Sequence, residues 1–380
     1  MEMSGAAARD GELPAVDGDY MLAQTATLCR IPSPSGFTHA AIDYVAAELA
    51  RIGVTVGRTV KGALVASLAG GDVDGEGRTL SAHVDTLGAM VKEIKDDGRL
   101  KLTMIGHYDW ATIEGEYCTI HAAGGAHPLS GAVLTTKASA HVHGEQLTKL
   151  KRDERSIEVR VDEPIRSAGE ARALGIEVGD FVSFDPRTVV TASGFIKSRH
   201  LDDKACVAIL LGVAKALATA GAEPAAPSHL FISNFEEVGH GSSAGLPANT
   251  RELVAVDMAA VGTGQTSDEF ATTVCVKDSS GPYDFELSRR LIGLARAHGI
   301  DCRVDVYPYY ASDVSQALRA GWDVKGGLVG PGVDASHSYE RLHRTALEAT
   351  ARLLLAYLLS PSAATNPAAL PAGEENRLAP

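Results

Sequence analysis

Two stretches of alternating helical and extended pattern enclose a stretch with little helical pattern, and this interruption constrains the fold more than any other feature. Ahead of it, "FTHAAIDYVAAELARIG" (37–53) has apolar residues at helical spacing and stops at glycine, and "GALVASLAG" and "RTLSAHVD" then read as strands. After Asp202 the alternation returns. "DDKACVAILLGVAKALATAG" reads as a helix, "SHLFISNF" and "ELVAVDMA" as strands, "DFELSRRLIGLARAHGI" and "SDVSQALRAG" as helices, and "YERLHRTALEATARLLLAYLL" as one long helix. The pattern predicts an α/β sheet with helices on both faces. The middle is a run of short strands separated by turns: "KLTMIG", "YCTIHAA", "GAVLTT", "SIEVRVDE" and "DFVSFDP". We therefore expect a β-rich domain over 95–198, inserted into an α/β domain made of 19–94 and 199–360. Residues 1–18 and 361–380 are rich in Ala, Pro and Gly without periodic apolar spacing, and are expected to be frayed tails.

A chain of 380 residues exceeds what one compact core usually spans, in keeping with two domains. The net charge is −13, from 35 basic and 48 acidic residues, with no dense basic stripe, which argues against nucleic acid or an anionic membrane surface as partner. Five scattered cysteines suggest a reducing compartment rather than a disulfide frame or a thiolate metal site. The N-terminus has no basic start followed by an apolar stretch. The longest apolar run, "ACVAILLGVA", is interrupted at Lys215, too short to cross a bilayer. The expected setting is the cytoplasm.

The chemistry centres on "SNFEEVGHGSSAG", where Glu236 and Glu237 stand side by side as an apolar strand ends. Two carboxylates leaving a buried strand lose hydration and repel each other unless something positive lies beside them. A metal ion would resolve this, and a solvated loop start would too. Four other segments carry similar donors. His83 and Asp85 in "LSAHVDTLGAM" share one face of a strand end, where a carboxylate can orient an imidazole; taken alone, a solvent-facing strand end suits them better. Asp202 and Asp203 precede an apolar helix, a place that also favours plain capping. Asp257 ends the strand "ELVAVDMAAVG", and His337 precedes the last helix in "GVDASHSYERLH". Ligands of an open α/β sheet gather at the carboxyl ends of its strands. Mixed His and carboxylate donors without cysteine suit two zinc-like divalent ions about 3.5–4 Å apart, sharing one carboxylate.

On these motifs the chain, over roughly Tyr20 to Leu359, resembles the glutamyl and tetrahedral (TET-type) aminopeptidases, cytoplasmic dinuclear zinc peptidases related to leucyl and aspartyl aminopeptidases. Five motifs stand in the family's order. The resemblance implies that in "AHVD" His83 binds one metal and Asp85 orients it, and that Asp202 of "LDDK" bridges both. In "FEEVG" it makes Glu236 the general base and Glu237 a ligand of the metal without His83. Asp257 then joins His83, and His337 of "SHSYE" completes the set. The inserted region looks like the family's dimerisation domain, and the dimer like a unit of hollow dodecamers. "SRHLDDKA", "DSSGPYD" and "DASHSYER" are most similar to a subgroup associated with synthesis of the osmoprotectant N-acetylglutaminylglutamine amide. The chain departs from the family at Thr86 (commonly Glu), Lys204 (usually Arg) and Cys206 (usually Gly), and lacks the proline common after the His-Ser pair.

The implied reaction is hydrolysis of N-terminal peptide bonds of short peptides by a metal-activated water, with two divalent ions per subunit, zinc with cobalt or manganese as alternatives. His240, four residues after Glu236, is a candidate substrate contact or a plain loop histidine. Asp313 in "YYASDVSQAL" is a candidate amine-binding or supporting group, or a helix N-cap. His141 and His143 in "AHVHG" have ligand-like spacing but fall in the inserted region, where a solvent-facing strand suits them better. Two rival functions are a metal-dependent deacylase acting on a small acetylated dipeptide amide, and a catalytically silent self-assembling scaffold.

Overall fold

The structure, a computed structural model, describes residues 12–68, 70 and 75–361. The chain opens with helices α1 (Gly18–Arg30) and α2 (His39–Ile52), then strands β1 (Val56–Arg58), β2 (Leu64–Leu68) and β3 (Gly77–His83). Six strands follow: β4 (Gly88–Ile94), β5 (Leu100–Ile105), β6 (Tyr117–His121), β7 (Leu129–Thr135), β8 (Ile157–Val161) and β9 (Phe181–Phe184). Between them lie the short helices α3 (Ala140–His143), α4 (Glu145–Thr148) and α5 (Ala168–Ala173). After β10 (Val189–Val190) and β11 (Phe195–Ser198) come α6 (Leu201–Ala220), β12 (Ser228–Ser233), β13 (Thr250–Val256), β14 (Ala259–Ala260), β15 (Thr272–Asp278) and β16 (Gly281–Pro282). The chain continues with α7 (Phe285–Ala297), β17 (Cys302–Val306), α8 (Asp313–Arg319), β18 (Lys325–Val333), β19 (Glu340–His343) and α9 (Arg344–Leu359).

The main sheet runs β1-β2-β12-β3-β13-β18-β15-β16, with β14 beside β18 and β17 beside β15. Its centre is parallel: β12, β3, β13 and β18 all point the same way. Every residue of β3 is buried, as expected of a parallel strand covered on both faces. Side chains alternate across the sheet. Val254 and Val256 join the core under α1, α2, α6, α7 and α9, whereas Leu253 and Ala255 join a smaller core with Val314 and Ala317 of α8. Helix α6 is apolar nearly all round because it lies between the sheet and α1 and α9. Among the described residues no helix is long and apolar enough to cross a membrane.

The middle of the chain closes on itself as a barrel, β4-β5-β8-β7-β6-β9, in antiparallel pairs around its own apolar core. Its first strand, β4, lies ahead of the boundary expected at 95, because it follows β3 after a few residues with no change of composition to mark the passage.

Three local expectations are corrected. Residues 12–18 do not fray: Leu13 and Val16 pack on the main core, and Asp17 caps α1 by accepting from the Tyr20 N–H at 2.9 Å. The remaining tail residues, 1–11 and 362–380, lie outside the described residues. The segment read as one long helix from Tyr339 begins instead with β19, which pairs with β11 before α9 starts at Arg344. His141 and His143 sit on the helical turn α3, not on a strand, and no residue of that turn is buried.

Strand β18, "KGGLVGPGV", carries no legible strand pattern, and its glycines have a steric reason. A Cβ on Gly330 would stand 1.7 Å from the Asp257 carbonyl oxygen, and one on Gly332 1.8 Å from that of Asp268. Their absence lets β18 lie against the turn that presents Asp257.

Candidate metal centre

The parallel register gathers the donors. His83 is the last residue of β3 and pairs with Ser233, the last of β12, so Glu236 and Glu237 follow at the same edge. Asp257 directly follows β13 on the other side of β3. Asp202 lies in the first turn of α6, where its own backbone and that of Asp203 are non-helical and the peptide bond between them is cis. His337 comes from the loop after β18.

Six side chains thereby meet in one cavity of about 410 Å³, on whose wall all six stand. His83, Asp202 and Asp257 offer atoms within 4.8 Å of one another, and so do Asp202, Glu237 and His337. Asp202 belongs to both groups. Its Oδ1 is 3.3 Å from His83 Nε2, and its Oδ2 is 3.2 Å from His337 Nε2. Glu237 Oε2 is 3.7 Å from His337 Nε2, and Glu236 Oε2 is 3.9 Å from His83 Nε2.

The ring tautomers decide what the cavity lacks. His83 Nδ1 lies 3.0 Å from the Asp85 carbonyl oxygen, and His337 Nδ1 lies 2.6 Å from that of His107. A carbonyl only accepts, so both Nδ1 atoms carry the proton, and a neutral ring then turns a lone pair on Nε2 toward an Asp202 oxygen. Lone pair against carboxylate is repulsive unless a cation lies between them or each ring takes up a second proton. One further orphan points the same way: Glu237 Oε1 is buried without a hydrogen-bond partner. The donor set, nitrogen and oxygen with no sulfur, fits zinc, cobalt or manganese.

The same demand shows in the acid–base behaviour of the metal-free protein. Burial, with Asp202 as the next-largest raising influence, pushes Asp257 up to about 7; burial and Asp202 push Glu237 up to about 8 against the opposing His337. Glu236 is held well above the usual carboxylate range by burial and by Asp257, Asp313 and Glu237, against the pull of His83. Burial works against charging His337, yet Asp202 and Glu237 prevail and raise it to about 11. Asp257, Glu236 and Glu237 hold their protons and the imidazoles gain them, while Asp202, between the two imidazoles, is held well below the usual carboxylate range because His337 and His83 outweigh burial; three carboxylates that stay protonated are the signature of a pocket short of positive charge.

Around this centre the other residues act as props. Asp85 is fully buried; its oxygens accept from Ser35 Oγ (2.5 Å) and from the backbone N–H groups of Glu236 (3.1 Å) and Glu237 (3.2 Å), which fixes the two glutamates' turn. Asp203 accepts from the His83 N–H at 3.2 Å. Glu340, which sequence reasoning missed, accepts from the N–H groups of both Asp202 (3.1 Å) and His337 (3.0 Å). Lys204 is fully buried away from the cavity, donating to the carbonyls of Leu28 and Ile31 at the end of α1. Thr86 is buried with its hydroxyl on the Leu87 carbonyl (3.1 Å). The buried Cys206 thiol lies against the Asp203 carboxyl, a contact that glycine could not make.

Two candidate substrate contacts lie off the cavity wall. Asp313 is buried behind Glu236, accepting from the Ser242 N–H at 2.9 Å; the N-cap of α8 is its neighbour Ser312. His240 is exposed and stacks on Phe235, with ring centroids 4.8 Å apart. Neither position lines the cavity, whereas Gly239, Met258 and Tyr310 do.

The profile of the M42 glutamyl aminopeptidase family matches residues 62–353. The chain belongs to that family. It is therefore a peptidase, a hydrolase of peptide bonds. Its sequence is 49% identical over 334 residues to "Putative aminopeptidase YhfE" of Bacillus subtilis (strain 168), covering 88% of this chain and 96% of the relative. Two solved structures share the fold. The aminopeptidase APDkam598 from the archaeon Desulfurococcus kamchatkensis superposes with a TM-score of 0.81 at 19% identity, covering 91% of this chain and 96% of its own. The Pyrococcus horikoshii TET1 peptidase, described as able to assemble into a tetrahedron or a large octahedral shell, gives 0.79 at 21% identity, with coverages of 90% and 99%.

Proposed function

We propose that this M42 peptidase is a dinuclear metal-dependent aminopeptidase, removing N-terminal residues from short peptides with Glu236 as general base. The observation that carries the reading is the Asp202 carboxylate, whose two oxygens face two different imidazoles at 3.3 and 3.2 Å. His83 and Asp257 would hold one divalent ion and Glu237 and His337 the other, with Asp202 common to both. Two such ions, zinc in our reading, supply Lewis acidity that polarises the scissile carbonyl and makes a water acidic enough to lose its proton near neutral pH.

The chain's own groups move that proton. Glu236 Oε2 faces the donors and takes it. The same carboxyl then lies within reach of the leaving amine and returns the proton to it. Asp85, accepting from both glutamate N–H groups, keeps the base and the ligand Glu237 in register. In this reading the barrel is a dimerisation domain and the chain forms a cytoplasmic homo-oligomer built from dimers, up to a dodecamer; the shell-forming TET1 relative supports the assembly.

The test is a panel of aminoacyl anilides and an acetylated dipeptide amide, assayed with added metal on the intact protein and on Glu236→Gln. Free-amine substrates should be cleaved and the acetylated compound left intact. The variant should keep its metal and lose roughly 10²–10⁴-fold in rate. Turnover of the acetylated compound alone would favour the deacylase, and undiminished turnover by the variant would remove Glu236 from the mechanism.

A further inference from the structure

We propose that Gln316, on α8, is the positioning residue that orients Glu236 and selects which of its carboxylate oxygens handles the proton. The inference rests on the general-base reading of Glu236. Gln316 is 4% exposed and lines the cavity. Its Nε2 donates both protons to one residue, at 2.7 Å to Glu236 Oε1 and at 3.0 Å to the Glu236 backbone carbonyl. Its Oε1 accepts from the Gly241 N–H. All three contacts fix the amide's orientation, because a flipped amide would set N–H against N–H and oxygen against two oxygens.

The geometry divides the work of the base carboxylate. Oε1 is occupied by the amide, while Oε2 is left facing His83 Nε2 at 3.9 Å. A carboxylate held by one oxygen and by its own backbone carbonyl cannot rotate freely about its last bond. The free oxygen therefore stays aimed at the donors through a turnover.

The support for Gln316 is itself rigid. Helix α8 starts with a capping box in which Ser312 and Ser315 satisfy each other's chain, so position 316 sits on a fixed first turn. The loop after Glu237 is docked onto that turn by Ser242, whose N–H donates to Asp313 Oδ1 at 2.9 Å and whose hydroxyl donates to the Asp313 carbonyl. The approach requires glycine: a Cβ on Gly241 would stand 2.3 Å from Asp313 Oδ1. Asp313 thus acquires a role as the anchor of the loop that Gln316 spans.

The test is a double-mutant cycle on the full metal-loaded protein using Gln316→Met, which keeps the length and removes donor and acceptor. In the otherwise intact protein kcat should fall about 10–100-fold with KM changed only a few-fold and metal content unchanged. In a Glu236→Gln background the same substitution should change kcat by less than about 2-fold, since the base whose orientation Gln316 sets is already gone. Gln316→Asn, too short to span from α8 to Glu236, should lose kcat similarly, and serves if Gln316→Met does not fold. Unchanged kcat in a folded Gln316 variant, or equal losses in both backgrounds, would overturn the proposal. A Glu236→Gln variant of full rate would instead break the base reading beneath it.

Discussion

The two halves of the centre are built differently. His83 ends a fully buried strand; it is itself 2% exposed and turned by Asp85, which three donors hold in turn. His337 sits on a loop with its side chain 38% exposed and its backbone left-handed at φ 61°, two residues after Ala335 at φ 58°. Such backbone costs about 1–3 kcal/mol at each non-glycine residue and persists only where the surroundings impose it. Here they are Glu340, holding the His337 N–H, and His107, whose carbonyl takes Nδ1 from the loop that follows barrel strand β5. A sheet edge builds the first half from register alone. The second half is assembled from a strained loop, a short strand and the barrel.

Breaking the first half should cost most. His83→Ala should remove the ion shared with Asp257 and lower kcat/KM by roughly 10³-fold or more, measured on an anilide substrate at saturating metal. His337→Ala should spare the His83 ion and cost less, about 10–100-fold, much of it recovered at raised metal concentration. Equal losses from both, or the reverse order, would show that strand-end and loop ligands are equivalent.

Metal removal gives a smaller and more graded effect. In the metal-free protein Glu237 and Glu340 are pushed up to about 8 and Asp257 to about 7, chiefly by burial, while His337 is raised to about 11 because Asp202 and Glu237 outweigh burial. Every one of these folded-state values lies above its unfolded one, so the folded state binds more protons as pH rises through that window. The contribution of these four groups to stability is therefore greatest near pH 5 and is lost toward pH 8, with the His337 part continuing to fall above it, and it outweighs the opposite contribution of His200, which burial holds down at about 3. Thermal melts of metal-free protein should drop on the order of 5 °C from pH 5 to 8.5, and zinc should flatten the slope. A flat or rising metal-free curve would contradict the charge deficit.

The contrast also marks what the sequence could show. His83, Asp85, Asp202, Glu236, Glu237, Asp257 and His337 were legible because each stands at a strand end or an element boundary, where polar residues interrupt an apolar pattern. Glu340 was not, since a glutamate followed by Arg341 before a helix reads as ordinary surface charge until the chain turns it inward along β19. His107 contributes a backbone carbonyl, which leaves no mark in a side-chain pattern. Gln316 hides in the first turn of a short amphipathic helix, and its function depends on a loop that is remote in sequence. Of the fold, β18 was obscured by glycines that exist to admit the Asp257 carbonyl.

The claim on which the account depends is that Asp202 joins two cation sites, and a metal titration by calorimetry, checked by elemental analysis of protein per bound ion, tests it most directly. The intact chain should take up two divalent ions with different affinities, and Asp202→Asn should weaken both. One ion or none in the intact chain, or two bound undiminished by Asp202→Asn, would contradict it.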